Sequence, residues 1–169
     1  MLHEIINGEQ LTINSALNDR RPGHSNHGDM MILAALNDFY AAFNQRDVEK
    51  SISNWAQQDY VVMCNPMGGI RRGISSIREG YETIMQGRTQ VYVEFYDYEL
   101  VESDVISYVA GCERGYAKRD DVQIELDIRT SRIFRQMDGQ WKQIHHHGSM
   151  TDPKALQQYQ EFLKAAFKK

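Results

Sequence analysis

The chain has 169 residues, 41% of them hydrophobic, which is enough for one ordinary domain with a real core and too little for two. Nineteen Lys and Arg against 23 Asp and Glu give a net charge of −4 with no long run of either sign, which argues against a nucleic-acid partner. Residues 1–10 lack the basic start and apolar block of a signal peptide, and no window approaches the ~20 apolar residues of a membrane span, so a cytoplasmic protein without membrane association is expected.

The first 28 residues carry a weak helical pattern followed by a polar stretch, and are expected to form an arm. His24 and His27 lie in a Gly/Ser/Asn-rich stretch with no carboxylate or cysteine near enough to complete a metal site, so no metal is expected there. Asp29 is a candidate N-cap for a helix reaching Asn44, in which Ile32, Leu36, Phe39, Tyr40 and Phe43 form an apolar stripe. Asp47 caps a second, short helix with Val48, Ile52 and Trp55 inward. Trp55 either anchors the end of a cavity or packs in the core with its indole hydrogen-bonded. A strand follows at Tyr60 to Cys64, then a turn over Asn65, Pro66, Met67, Gly68 and Gly69. Gly73 leads into a third helix, with Ile74, Ile77, Tyr81, Ile84 and Met85 on one face and Gly87 as its stop.

From residue 91 to 150 the pattern is nearly all strand. Residues 91–100, 105–116, 122–135 and 140–150, separated by short polar turns, predict an antiparallel meander with its helices segregated before it: an α+β domain. In the second strand Ile106, Tyr108, Ala110 and Cys112 are read as one face. Cys64 and Cys112 sit in apolar strand-like stretches, as reduced thiols would. The third strand alternates most cleanly. Val122, Ile124, Leu126, Ile128, Thr130 and Phe134 share a face, and Gln123, Glu125, Asp127 and Arg129 lie on the other. Arg132 breaks the apolar face. A guanidinium there has to bind a ligand carboxylate, pair with an internal acid or reach solvent along its stem.

Which histidine of the run His145, His146 and His147 meets Arg132 depends on the preceding turn. A two-residue turn at Asp138 and Gly139 pairs 132 with 145, whereas a three-residue turn pairs it with 144 and turns His146 inward. The apolar match of Ile144 favours the longer turn, with His145 and His147 outside near Asp127 and Arg129. A metal held by His145 and His147 lacks an obvious third ligand. Asp152 and Pro153 open a final helix, with Leu156, Tyr159, Leu163, Ala166 and Phe167 on one face.

The element order, with Asn65-Pro66 closing the first strand, Gly73 opening the third helix, and Asp138-Gly139-x-Trp141 running into His145-x-His147-x-Ser149, resembles the nuclear transport factor 2-like superfamily. The SnoaL-like branch is nearest, with the association domain of calcium/calmodulin-dependent kinase II as a relative. The resemblance covers residues 29–150. It implies a cone-shaped, curved antiparallel sheet wrapped around three N-terminal helices, a pocket at the wide end, and homodimers formed through the outer sheet face. The C-terminal helix at 151–169 is an addition.

In the ketosteroid isomerases of this superfamily the general base is an aspartate where this chain has Asn65, and the oxyanion-binding tyrosine aligns with Phe39, one residue from Tyr40 and about 100° around the helix. That chemistry is not expected, and Asn65 either contacts a ligand or caps its turn. Of the carboxylate-binding arginines in the kinase association domain, the resemblance retains Arg132, while the others fall on Cys112 and Gly148 and a pocket histidine falls near Ile77.

The expected pocket is mostly apolar, with Tyr40, Trp55, Asn65, Tyr81, Tyr108, Cys112, Arg132, His145 and His147 as ligand-binding candidates and His146 beside Arg132 as a proton shuttle. The expected function is binding, or cofactor-free isomerase, cyclase or dehydratase chemistry, on an aromatic or polyketide-like ligand with a carboxylate or carbonyl. The alternative is a non-catalytic assembly or accessory domain acting through the sheet face and C-terminal helix.

Overall fold

A computed structural model describes residues 4–6, 9–11, 17–18 and 27–165, with side-chain environments from 31 to 165. The elements are β1 (Glu4–Ile6), β2 (Glu9–Leu11), β3 (Leu17–Asn18), α1 (His27–Asn44), α2 (Val48–Ser53), β4 (Val62–Cys64), β5 (Ile70–Arg72), α3 (Ile74–Gln86), β6 (Gln90–Val101), β7 (Ile106–Arg119), β8 (Val122–Met137), β9 (Gln140–Met150) and α4 (Pro153–Lys164). A small antiparallel pair, β1–β2, stands apart from a seven-stranded sheet ordered β3-β6-β7-β8-β9-β4-β5. The expected α+β architecture is present, with the β6–β9 meander as its body.

The apolar stripes of α1 and α3 explain the core. Ile32, Leu36, Phe39 and Tyr40 from α1, and Ile77 and Tyr81 from α3, are buried against Val93, Phe95, Leu126, Ile128 and Phe134 of the sheet. Asp47 caps α2 as expected, accepting from the Lys50 N–H at 2.9 Å, and Asp152 caps α4, accepting from the Lys154 N–H at 2.9 Å. The concave shape is built into β6 and β7. The β6–β7 register slips between Tyr96 and Glu99, with Asp97 at φ 50°, and a Cβ at Gly115 would stand 1.9 Å from the Tyr92 carbonyl oxygen. Only glycine tolerates that approach of two backbones, and the bulge adds local twist.

Several expectations are corrected. Before His27 the described residues form strands rather than a helical stretch, and β3 adds to the sheet edge, pairing Leu17 with Phe95. The first helix starts at His27, so Asp29 lies within it rather than capping it; His24 falls outside the described residues, as do Ala166 and Phe167. Residues 70–72, unassigned in the sequence reading, form β5 on β4. Gly87 ends α3 as expected, at φ −69°, where a Cβ would stand 2.9 Å from the Thr83 carbonyl oxygen. On α4 the buried residues are Tyr159 and Phe162, while Leu163 is only partly buried.

The faces of β7 are also reversed. Its buried side is Ser107, Val109, Glu113 and Ala117, whereas Ile106 and Tyr108 are exposed on the convex face, Tyr108 at 45%. Among the described residues no helix is long and apolar enough to cross a membrane.

Candidate functional site

The alternation of β8 turns Leu126, Ile128, Thr130, Arg132 and Phe134 inward and leaves Gln123, Glu125, Asp127 and Arg129 exposed, as the sequence predicts. Arg132 is 2% exposed and finds an internal acid. Its Nη2 donates to Glu113 Oε1 at 3.0 Å, Nε donates to the Tyr40 hydroxyl at 3.1 Å, and Nη1 donates to Gln143 Oε1 at 2.7 Å. The Tyr40 hydroxyl in turn donates to the same Glu113 oxygen at 2.5 Å. The guanidinium carbon lies 4.0 Å from the centroid of the Phe39 ring, so the cation also gains from an aromatic face.

A relay of amides fixes this arrangement from behind. Gln143 Nε2 donates to Asn54 Oδ1 at 2.6 Å, and Asn54 Nδ2 donates to the Ala35 carbonyl at 2.7 Å, tying β9 through the end of α2 to α1. The backbone pins Gln143 too: its N–H donates to the Asn54 carbonyl and its carbonyl accepts from the Ala56 N–H, both at 2.9 Å. Burial opposes the charge on Arg132, but Tyr40, Glu113 and Tyr81 outweigh it and hold the guanidinium above its ordinary pKa. Burial pushes the Tyr40 phenol well up, against the pull of Arg132, so it serves as a neutral donor.

His146 completes the polar end of the site. The β8–β9 turn is the two-residue Asp138-Gly139, with φ 50° and 78°, matching a primed hairpin turn. Neither anticipated register holds. A bulge opposite Ile133 and Phe134 inserts one extra residue at Ile144, so Arg132 pairs with His146, and His146 faces inward while His145 and His147 do not. His146 is 6% exposed, and neither ring nitrogen has a hydrogen-bond partner. Burial above all, then Arg132 and the neighbouring His145 and His147, hold its pKa well below 6.5, so the ring is neutral imidazole.

Glu113, Arg132 and His146 line a cavity of about 70 Å³. Phe39, Met63, Tyr81 and Ile128 supply apolar walls, and Glu113, Arg132 and His146 supply the polar end. Asn65, Pro66 and Tyr159 of α4 also line it. Glu113 Oε2 accepts from none of the described residues. Arg132 uses three of its five N–H groups. Because the ion pair is internally balanced, the cavity is polar at one end without net charge.

Of the expected ligand-binding residues, Asn65, Tyr81 and Arg132 line the cavity, together with His146. Tyr40 stands behind the guanidinium as its support. Trp55 is core: its Nε1 donates to the Tyr81 hydroxyl at 3.2 Å and it does not reach the cavity. Tyr108 and Cys112 are corrected to the convex face by the reversed parity of β7, where Cys112 pairs with Arg129. His145 and His147 are placed outside by the β9 bulge, opposite Ile133 and Ser131 rather than near Asp127 and Arg129. Both cysteines are free thiols in strands, as expected. Asn65 shapes its turn through its backbone, its carbonyl accepting from the Gly68 N–H at 2.9 Å.

Glu113, Gln143 and Tyr159 are the residues that the sequence reading missed. For Glu113 a signal existed: an arginine forced inward on β8 needs an acid on a neighbouring strand, and Glu113 lies on β7 between two glycines, Gly111 and Gly115, of the same parity.

A family model of the SnoaL-like domain matches residues 32–153, most of the chain. The chain is a SnoaL-like domain protein. Its fold is that of the NTF2-like proteins. A Streptomyces avermitilis NTF2-like family protein provisionally described as a dehydratase superposes with a TM-score of 0.65 at 21% identity, covering 75% of this chain and 98% of that one. An NTF2-like superfamily protein from Salmonella enterica gives 0.68 at 17% identity, covering 75% and 92%. A Xanthomonas campestris protein provisionally described as a calcium/calmodulin-dependent kinase II association domain gives 0.62 at 16%, covering 78% and 92%. No functionally curated protein matches the sequence. The SnoaL-like match ends at the first residue of α4, the helix that carries Tyr159.

Proposed function

We propose that this SnoaL-like protein binds a small, neutral, mostly apolar molecule carrying a hydroxyl or carbonyl, and that His146 moves a proton on it in cofactor-free lyase or isomerase chemistry. The observation that carries this reading is His146: a buried, neutral imidazole with both nitrogens unpartnered, at the polar end of an otherwise apolar cavity. An orphaned buried donor or acceptor costs about 1–3 kcal/mol, and a ligand that bonds to it recovers that cost. A neutral imidazole accepts a proton at one nitrogen and donates from the other, the property that a general base needs if it is to return the proton later.

The ligand differs in two ways from the sequence expectation. Glu113 already occupies the carboxylate position on Arg132, so an incoming carboxylate would meet a like charge with no free counter-ion. A cavity of about 70 Å³ is also well below the ~300–1,000 Å³ of ordinary ligand pockets, so a polyketide-sized molecule does not fit the closed form. Arg132 then acts as a fixed positive wall that stabilises developing negative charge on a substrate oxygen through its remaining N–H groups, while Glu113 Oε2 accepts from a ligand hydroxyl.

The test is thermal unfolding with phenol and with benzoate, one-ring probes that differ in charge. Phenol at ten times its Kd is expected to add about 1.4 kcal/mol and raise Tm by about 3–6 °C, and the gain disappears in His146→Leu. A larger shift with benzoate than with phenol would contradict the reading.

A second reading rests on the convex face, where Val101, Ile106 and Tyr108 are exposed beside one another on β6 and β7. Such a patch suits a second copy of this chain in a homodimer. Sedimentation equilibrium is expected to give a dimer that Tyr108→Glu converts to monomer, and a wild-type monomer would remove this reading.

A further inference from the structure

We infer that Tyr159, carried on α4, is the specificity-determining residue of this pocket: its ring occupies the space a second ligand ring would take, and α4 is the lid that must lift to admit one. The inference rests on the pocket reading above and adds what sets ligand size.

Three observations converge on Tyr159. It lines the cavity together with Asn65, Pro66 and Met67. It is 6% exposed, and burial pushes its phenol up to about 12, so the ring sits in the wall as a neutral group. Finally, it belongs to the helix that begins at the last residue of the SnoaL-like match, so the wall it forms lies outside the matched residues.

The manner of attachment fits a lid. Two side-chain bonds to backbone fasten α4: Gln160 Nε2 donates to the Met67 carbonyl at 2.8 Å, and Arg119 Nη2 donates to the Phe162 carbonyl at 2.7 Å. The Arg119 guanidinium also covers the Phe162 ring at 4.4 Å. Both latches lie outside the polar end of the cavity, so lifting α4 leaves Glu113, Arg132 and His146 in place. A bicyclic ligand then takes the space that the tyrosine ring vacates and meets the same imidazole.

The experiment compares 2-naphthol and phenol, both neutral at pH 7.5, by fluorescence titration and calorimetry on wild type, Tyr159→Phe and Tyr159→Ala. Tyr159→Ala is expected to bind 2-naphthol at least about tenfold more tightly than wild type and to raise the ratio of 2-naphthol to phenol affinity. Tyr159→Phe, which keeps the ring, should keep the wild-type preference. Arg119→Met supplies an independent check that leaves the cavity wall intact: it is expected to accelerate both 2-naphthol association and amide exchange in α4 about tenfold. Equal 2-naphthol affinity in all three position-159 proteins, with phenol still bound, overturns the gate alone. Absence of phenol binding from every variant overturns the gate and the pocket together.

Discussion

Glu113→Ala is expected to destabilise the domain by about 3–5 kcal/mol, a fall in Tm of about 6–20 °C for a chain of this size. The magnitude follows from what remains. Arg132 cannot reach solvent, since it is 2% exposed and stacked on Phe39, and it keeps only the neutral acceptors Tyr40 and Gln143. The cost is the penalty of an uncompensated buried charge rather than the worth of the pair, because a buried ion pair roughly breaks even against apolar residues of similar volume. Glu113→Gln keeps an acceptor oxygen and should lose less, and the double replacement Glu113→Leu with Arg132→Met should recover much of the loss. Chemical denaturation of wild type, Glu113→Leu, Arg132→Met and the double replacement gives the coupling. A Glu113→Ala loss below about 1 kcal/mol would show that the pair is not formed in solution.

Acid stability depends on His146. Its folded-state pKa is depressed by burial first and by Arg132 second, so the unfolded chain takes up a proton near pH 6.5 that the folded chain refuses. The unfolded state therefore binds more protons below that pH. Stability is fully present above about pH 6.5 and falls with acidification, by about 1.4 kcal/mol per pH unit, until the folded ring protonates. His146→Leu removes this dependence. His145, itself lowered chiefly by burial and then by His147, is present in both proteins and cancels in the comparison. Denaturant titrations from pH 7.5 to 5 are expected to show wild type losing stability relative to His146→Leu on acidification. A difference independent of pH would mean that His146 is hydrated rather than buried.

The parts of this fold that could be read in advance are those where one periodicity dominates. In β8 polar and apolar residues alternate without ambiguity, so the inward Arg132 stood out; the stripe of α1 and the Asp47 and Asp152 caps were equally legible. In β7 both parities are apolar, and the bulkier one, Ile106, Tyr108 and Cys112, was assigned to the interior. It faces outward because the concave side of a strongly bent sheet admits small residues there: a Cβ at Gly111 would lie 2.5 Å from Tyr98 Cβ. That reversal hid Glu113, the partner that decides what Arg132 does.

The β9 register shows a different limit. The hydrophobic match of Ile144 pointed correctly to an inward His146 but through the wrong turn, because a bulge and a one-residue change of turn length have the same effect on parity. Tyr159 was read as one of a stripe on a terminal helix. Sequence periodicity shows that such a face is buried without showing what it covers.

The central claim, that a neutral ligand meets the His146 imidazole, is tested most directly by the side-chain nitrogen resonances of His146 during titration with phenol at pH 7. A neutral ring whose resonances move on saturation, as one nitrogen gains a hydrogen bond, with no comparable change under benzoate, is the predicted result. Unmoved His146 resonances while calorimetry registers phenol binding would contradict it and place the ligand elsewhere on the molecule.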